Sequence, residues 1–461
     1  MPAQKPLLSP EKSAEYDVVR GAAVLAIGEF ESSPLAELDP IVDRYAALAG
    51  VDARDFRFLK RIVNGVVKMR RRLDHELRFY LARPSEKLPP RLQNTLRVGL
   101  YQIRYMEKVP DAAAVDTAVT LARYFHDAGR ARLVNAVLRT ALREPDKPVF
   151  IDESKDPVKR LGDWYSYPDF FVRYCLTEFG IEKTRALLEH MNEPPALTIR
   201  VNLLRAKTQE VETELTSSGV GFVRGEFLEE FYVLSESAID PLRGLLDSGK
   251  IYIQNQSAGM AVRLLNPRPD MTVLDLAAAP GGKATYAAAR MRGKGRVTAV
   301  DKSRSRLELL VENAKRLGVK IISPVVADVT KLELNDMFDR VLVDPPCTGW
   351  GVAGRHADLR WRKTEDDSPA LAALQQRMLE RAATFVKPGG VMVYSTCTIM
   401  REENDNIVEE FLTDHKEFSL DSAEEFWPNS PVVSERGFVK AYPAFRPLDG
   451  AFAARLKRRP H

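Results

Sequence analysis

The stretch VLDLAAAPGGK at 273–283 decides the fold of this 461-residue chain. A short β-forming run at 273–276 gives way to alanines, a proline and two glycines, and a helix-forming segment follows at 284–290. Small residues let a ligand approach the backbone, and Gly281 and Gly282 permit dihedrals that other residues resist. The free N–H groups opening the next helix can hold an anion such as a carboxylate. The spacing fits neither the phosphate loop GxxxxGK[ST] nor GxGxxG. On this loop alone, a plain strand-to-helix turn is the competing reading.

The same alternation continues outward. Strands are predicted at 296–300, 321–326, 340–343 and 391–395, and helices at 303–317, 371–385 and 402–412. This predicts an α/β, Rossmann-like domain over 266–461 with a mainly parallel sheet. Asp301 ends the second strand, where an acid can bind ribose hydroxyls, and Asp328 follows the third, within range of an adenine amine. Each acid alone is more often a cap or a solvated loop residue. Three successive strand ends with suitable groups describe a nucleoside site at the sheet's carboxyl edge.

The fourth strand runs into Asp344-Pro-Pro-Cys347-Thr-Gly-Trp-Gly351, and the fifth into Tyr394-Ser-Thr-Cys397-Thr398. Two of the three cysteines therefore end neighbouring strands on the cofactor edge. Cys175, in the apolar run FFVRYCL, reads as core filler. Three cysteines make no disulfide framework. With His356 as the nearest further ligand, no metal is expected. A pair of thiols suits covalent chemistry on a pyrimidine. One thiolate adds to carbon 6 and makes carbon 5 enamine-like. A second base or thiol, a role open to Cys347, then removes the carbon 5 proton. Asp344 is available to assist at N3.

Elsewhere the chain is helical from about 10 to 145, with apolar residues at three- and four-residue spacing in 18–27, 58–67, 92–105, 113–125 and 133–142. Pro89, Pro90 and Pro110 punctuate the helices, and 144–157 reads as a linker. Residues 160–265 predict a small α+β module, with a helix at 168–191 and strands at 196–203, 231–234 and 250–254. Length suggests about three domains: 1–150, 160–265 and 266–461. No apolar run approaches the ~18 residues of a membrane span, and residues 1–15 lack the apolar core of a signal peptide, so a cytoplasmic protein is expected. Net charge is +4, and residues 1–150 hold 25 lysines and arginines against 19 aspartates and glutamates. That excess favours phosphates, with Lys60, Arg61, Lys68, Arg70, Arg71 and Arg72 as candidate contacts; a solvated helix face is the plainer alternative.

The motifs DLAAAPGGK, VDPPCTGWG, YSTCTIMREEN and Arg355-His356-Ala-Asp358-Leu-Arg-Trp361 resemble those of the RNA cytosine-5 methyltransferases of the Fmu/RsmB (NOL1/NOP2/Sun) family. The resemblance implies that Cys397 is the nucleophile and that Cys347 assists product release. It implies that Ala277, Ala278, Ala279, Pro280, Gly281, Gly282, Lys283, Asp301, Asp328 and Asp344 bind S-adenosyl-L-methionine, leaving S-adenosyl-L-homocysteine as product, with Lys283 near the reacting base. The DNA cytosine-5 enzymes use the cysteine of a Pro-Cys motif instead, which would exchange the roles of Cys347 and Cys397. Residues 195–254 resemble the family's RNA-recognition-like module, and Val98–Ile103 (VGLYQI) with Leu133–Leu138 (LVNAVL) resemble a NusB-type RNA-binding domain. Together these imply a partner in 16S ribosomal RNA, with no DNA and no membrane, and with Arg355, His356 and Arg360 beside the base pocket; a monomer is assumed. The alternatives are a transfer-RNA cytosine-5 methyltransferase and a non-catalytic NusB-like antitermination factor. Two departures stand out: Asn255 follows Gln254 where the family usually has an acid, predicting weaker local hydrogen bonding, and Ala451 stands where an aromatic is common.

Overall fold

The computed structural model describes residues 16–33, 36–82, 87–235, 239–443 and 448–460; the reading of 1–15 as free of a signal peptide lies outside them. The chain divides into two compact units: 1–192 with 356–364, and 193–355 with 365–461. Among the described residues, no helix is long and apolar enough to cross a membrane.

In the first unit the periodic segments fold as helices at Val18–Ser32, Leu38–Ala49, Ala53–Lys68, Arg70–Tyr80, Pro90–Tyr105, Asp111–Phe125 and Ala128–Arg143. Asp17, Asp52 and Asp127 cap three of them by accepting a backbone N–H three residues on. The two NusB-resembling motifs meet in this core. A Cβ on Gly99 would fall 2.5 Å from Leu138 Cδ1, so only glycine lets those helices approach so closely. The helix Pro157–Tyr165, which the sequence did not predict, and the predicted helix, here Asp169–His190, pack within this unit.

The short segment 356–364 also belongs here, and it corrects part of the RNA-contact reading. Arg360 has no exposed surface. Its guanidinium donates to the carbonyls of Lys68 (3.3 Å), Tyr165 (3.4 Å), Ser166 (3.3 Å) and Met191 (3.1 Å), and lies 3.8 Å from the centre of the Tyr167 ring. Trp361 Nε1 donates to Val67 O at 2.6 Å. The final carbonyls of a helix lack partners within it, and Arg360 and Trp361 supply them for Ala53–Lys68. Arg71 is likewise committed, to Asp163 (2.7 Å), Asp169 (2.5 Å) and Tyr167 O (2.7 Å). Arg70 stacks on Trp361 at 4.3 Å, and burial, helped by Arg360, lowers the Lys68 ammonium to about 7. The run 68–72 and Arg360 thus hold this unit together and do not form a solvated phosphate-binding face. Lys60 pairs with Asp39 at 2.9 Å, whereas Arg61 is exposed.

The second unit carries two sheets. Four short strands, β1 (Leu197–Val201), β2 (Phe222–Arg224), β3 (Phe231–Leu234) and β4 (Ile251–Ile253), pair antiparallel in the order β2-β3-β1-β4. The second sheet contains β5 (Thr272–Leu276), β6 (Arg296–Asp301), β7 (Ile322–Val326), β8 (Phe338–Val343), β9 (Val386–Thr396), β10 (Phe418–Leu420), β11 (Val439–Ala441) and β12 (Ala451–Arg458). Its order is β10-β12-β9-β8-β5-β6-β7, with β11 on β12. The five strands from β7 to β9 are parallel, and β12 joins β9 antiparallel. Alternation along β5 sends Val273 into one apolar layer and Leu274 and Leu276 into the other, so both faces are covered. The chain leaves β5 toward β6 and β7, then returns to β8 on its other side. The switch point therefore lies between the ends of β5 and β8, where such sheets bind ligands.

Candidate active site

The loop after β5 turns through two left-handed residues, Ala277 (φ 66°) and Gly281 (φ 101°). The N–H of Ala278 bonds Val300 O at 2.9 Å and that of Ala279 bonds Asp301 Oδ2 at 3.2 Å, tying the loop to β6. The helix Gly282–Arg290 then starts beside a cavity lined by Tyr252, Gln254, Asp275, Ala277 through Pro280, Gly282, Lys283 and Asp344. Asp275 is buried, and neither of its side-chain oxygens has a partner among the described residues; nor does Gln254 Oε1. Burial and the nearby Asp344 push the Asp275 carboxyl up to about 8, against the pull of Lys283. The cavity thus presents partnerless acceptors together with the N–H groups of a helix start.

Lys283 reaches across the switch point to Asp344 Oδ2 at 2.6 Å, and Ser395 donates to Asp344 Oδ1 at 3.0 Å. Against burial, the Asp344 carboxylate raises the Lys283 ammonium above its usual range. Beyond this pair, Cys347 and Cys397 lie Sγ to Sγ at 3.2 Å. The hydrogen bond from Cys347 lowers the Cys397 thiol, with Lys283 assisting against burial. The same hydrogen bond, with burial, raises Cys347. Cys397 opens onto a second pocket that includes Lys283, Ser395, Asn255, Asp449 and Gly450. Lys283 lines both pockets, so the cavity of the β5 loop and the pocket of the reactive thiol share one wall.

The structure brings Ala277 through Lys283, Asp344, Cys347 and Cys397 together. Asp301 is buried under the loop, and its other oxygen caps Ser303 N at 2.9 Å. Asp328 is exposed at the end of β7, accepting from the Thr330 N–H and hydroxyl. Arg355 pairs with Asp449 (2.6 Å) and Ala196 O (2.9 Å), and His356 is exposed. The expected weakening at Asn255 is corrected: its Oδ1 accepts from Ser257 N (2.9 Å) and Oγ (2.8 Å), capping the helix Gln256–Leu265. Asparagine is as good a cap as aspartate. Cys175 is fully buried, and burial raises its thiol. Sequence reasoning passed over Asp275, Gln254 and Glu403. The first heads the decisive motif and the last lies in MREEN, but nothing in the local pattern says where such side chains point.

Residues 262–457 match the family model described as 16S rRNA methyltransferase RsmB/F, residues 19–143 match the NusB family, and residues 167–238 match the RsmF/B-like ferredoxin-like domain. A probable ribosomal RNA small subunit methyltransferase B of Bacillus subtilis (strain 168) is 36% identical over 413 residues, covering 87% of this chain and 90% of the relative. Its namesake in Synechocystis is 35% identical, covering 91% of this chain and 95% of the relative. The crystal structure of a methyltransferase homolog protein from Pyrococcus horikoshii is 30% identical, covers 66% of this chain and 99% of its own, and overlays with a TM-score of 0.58. The strand order, the carboxyl-edge cavity and these likenesses define a methyltransferase of Rossmann-like fold carrying a NusB helical domain and a ferredoxin-like module. The chain belongs to the 16S rRNA methyltransferase RsmB/F family.

Proposed function

We propose that the protein transfers a methyl group from S-adenosylmethionine to carbon 5 of a cytosine in 16S ribosomal RNA, with Cys397 forming a covalent bond to carbon 6. The observation that carries this reading is the pair of sulfurs 3.2 Å apart at the ends of β8 and β9. The donor set suits the cofactor. The N–H groups at the start of the helix Gly282–Arg290 would hold its carboxylate, the open oxygens of Asp275 and Gln254 would accept from its ammonium group, and Asp301 and Asp328, after the next two strands, would serve its nucleoside. When bound, this cofactor supplies an electrophilic methyl group.

The chain's own residues do the rest. Cys397, favoured as thiolate by the Cys347 S–H and the Lys283 ammonium, adds to carbon 6. The Lys283–Asp344 pair bears the proton that a hydrogen bond to N3 requires. Once Cys397 is bonded to carbon, its negative charge is gone. That removes the largest cause holding Cys347 protonated, so Cys347 gives its S–H proton to solvent and, as thiolate, takes the carbon 5 proton while the carbon 6–sulfur bond breaks and Cys397 leaves as thiolate. Cys347→Ala is therefore expected to accumulate a protein–RNA adduct that survives denaturing electrophoresis, and Cys397→Ala to form none. An adduct that persists without Cys397 and disappears without Cys347 would exchange the two roles.

A further inference from the structure

Glu403 takes no part in the chemistry above, yet it is fully buried and bonded to Thr348, the residue that follows Cys347. Its carboxylate accepts four hydrogen bonds: from Thr348 N (2.9 Å), Thr348 Oγ1 (2.5 Å), Ser368 Oγ (3.2 Å) and Gln375 Nε2 (2.8 Å). All four donors are uncharged. Burying a carboxylate among neutral partners is costly, and only an acceptor-only group can take four donors at once. A glutamine there would turn an N–H toward one of them.

Thr348 follows Cys347 and Thr398 follows Cys397, and their hydroxyls lie 2.8 Å apart. Because Thr348 Oγ1 gives its proton to Glu403, Thr398 donates to Thr348. Asn404, next to Glu403, accepts from Thr396 Oγ1 at 2.6 Å and donates to Thr398 O at 3.0 Å. Two adjacent residues thus grip the chain beside each sulfur.

We propose that Glu403 is a positioning residue: its buried carboxylate fixes Thr348 and, through the paired hydroxyls, Thr398, and so sets the distance and aim of the Cys347 and Cys397 sulfurs. This rests on reading those cysteines as the reacting pair. The charged and titratable groups acting on Cys397 are Cys347, Asp344, Lys283 and Glu403, and Asp449 lines its pocket.

The test is the pH dependence of iodoacetamide alkylation at Cys397 in the full-length protein, followed by mass spectrometry. It needs neither RNA nor methyl donor, so its outcome is independent of the substrate reading. Thr348→Val keeps the Glu403 charge while cutting the hydroxyl link. It is expected to raise the Cys397 midpoint by roughly 0.5–1, toward the ~8.5 of a free thiol, because the Cys347 S–H no longer points at its neighbour. If Thr348→Val fails to fold, Thr398→Val carries the same test from the other loop. A midpoint at or below the wild-type value in the folded variant overturns the proposal. Glu403→Gln removes a negative charge, which on Coulomb grounds alone would lower the Cys397 midpoint, since that charge raises it. An upward shift in this variant therefore reports lost positioning. Its turnover is expected to drop about 10- to 100-fold with cofactor affinity unchanged.

Discussion

Asp275 is held in a state that costs the folded protein stability. A carboxyl raised to about 8 inside the fold but ordinary once unfolded stabilises the native state fully only at pH below the unfolded value. That contribution is lost as pH rises from about 4 toward 8. Asp275→Asn is therefore expected to stabilise the ligand-free protein at pH 7, on the order of 1–3 kcal/mol, with the gain shrinking toward pH 4. Urea unfolding at pH 7 and pH 4.5 measures it. The same substitution should weaken cofactor binding about tenfold or more, since an amide puts N–H groups where an ammonium would need acceptors. In the wild type, an ammonium-bearing cofactor favours the ionised carboxylate, so binding should release a proton. Calorimetry in buffers of different ionisation enthalpy detects that release, and Asp275→Asn should lose it. Wild-type binding with no proton exchange near pH 7 would mean that Asp275 stays in one protonation state and the pairing is absent.

At the scale of elements, most of the catalytic sheet was legible because its parallel strands are short β-rich runs and most of the crossovers between them carry a helical period; the β7–β8 connection, with only a short turn at Val329–Lys331, does not. Only the ends moved: β9 extends over Val386–Thr396, longer than its apolar centre, and the helix Asp367–Ala383 starts before its first apolar residue. The site was legible where a motif directly follows a predicted strand, as with Cys347 and Cys397, which lie 50 positions apart but end neighbouring strands. Arg360 and Arg71 were misjudged because their partners are remote. Lys68 lies 292 positions from Arg360, and Asp163 lies 92 from Arg71, so no local pattern distinguishes a solvated arginine from a buried one. The structural role makes its own prediction. Arg360→Ala should lower stability by about 2–4 kcal/mol, because it leaves several buried carbonyls without donors. Arg360→Lys should recover little of it, since an ammonium lacks the planar fork that spans them. Thermal melting beside RNA binding measured well below the melting temperature separates the roles. Unchanged melting with RNA affinity reduced tenfold would return Arg360 to the RNA contacts beside the base pocket.

At the scale of the whole molecule, what must be explained is why a compact methyltransferase domain travels with a NusB-family helical domain and a ferredoxin-like module in one chain. The proposed chemistry gives a reason. A cytosine reaching Cys397 must leave its stack, at a cost of a few kcal/mol when paired, and a small base pocket offers little surface to offset that. Further RNA contacts can supply the difference without reading sequence. With the run 68–72 committed inside its own unit, the exposed Arg61, Arg132 and Arg139 are the residues we propose for those contacts. Affinity for a 16S RNA fragment should therefore fall steeply with salt, and reversing these three charges together should flatten the slope by up to about three phosphates' worth while leaving melting unchanged. The cellular counterpart decides between RNA classes. Bisulfite sequencing of a strain lacking the gene should show one 5-methylcytosine lost from 16S ribosomal RNA with transfer RNA unaltered. The wild-type gene should restore the mark and the Cys397→Ala gene should not. Restoration by Cys397→Ala would remove the covalent mechanism, and loss confined to transfer RNA would remove the ribosomal substrate while leaving the chemistry in place.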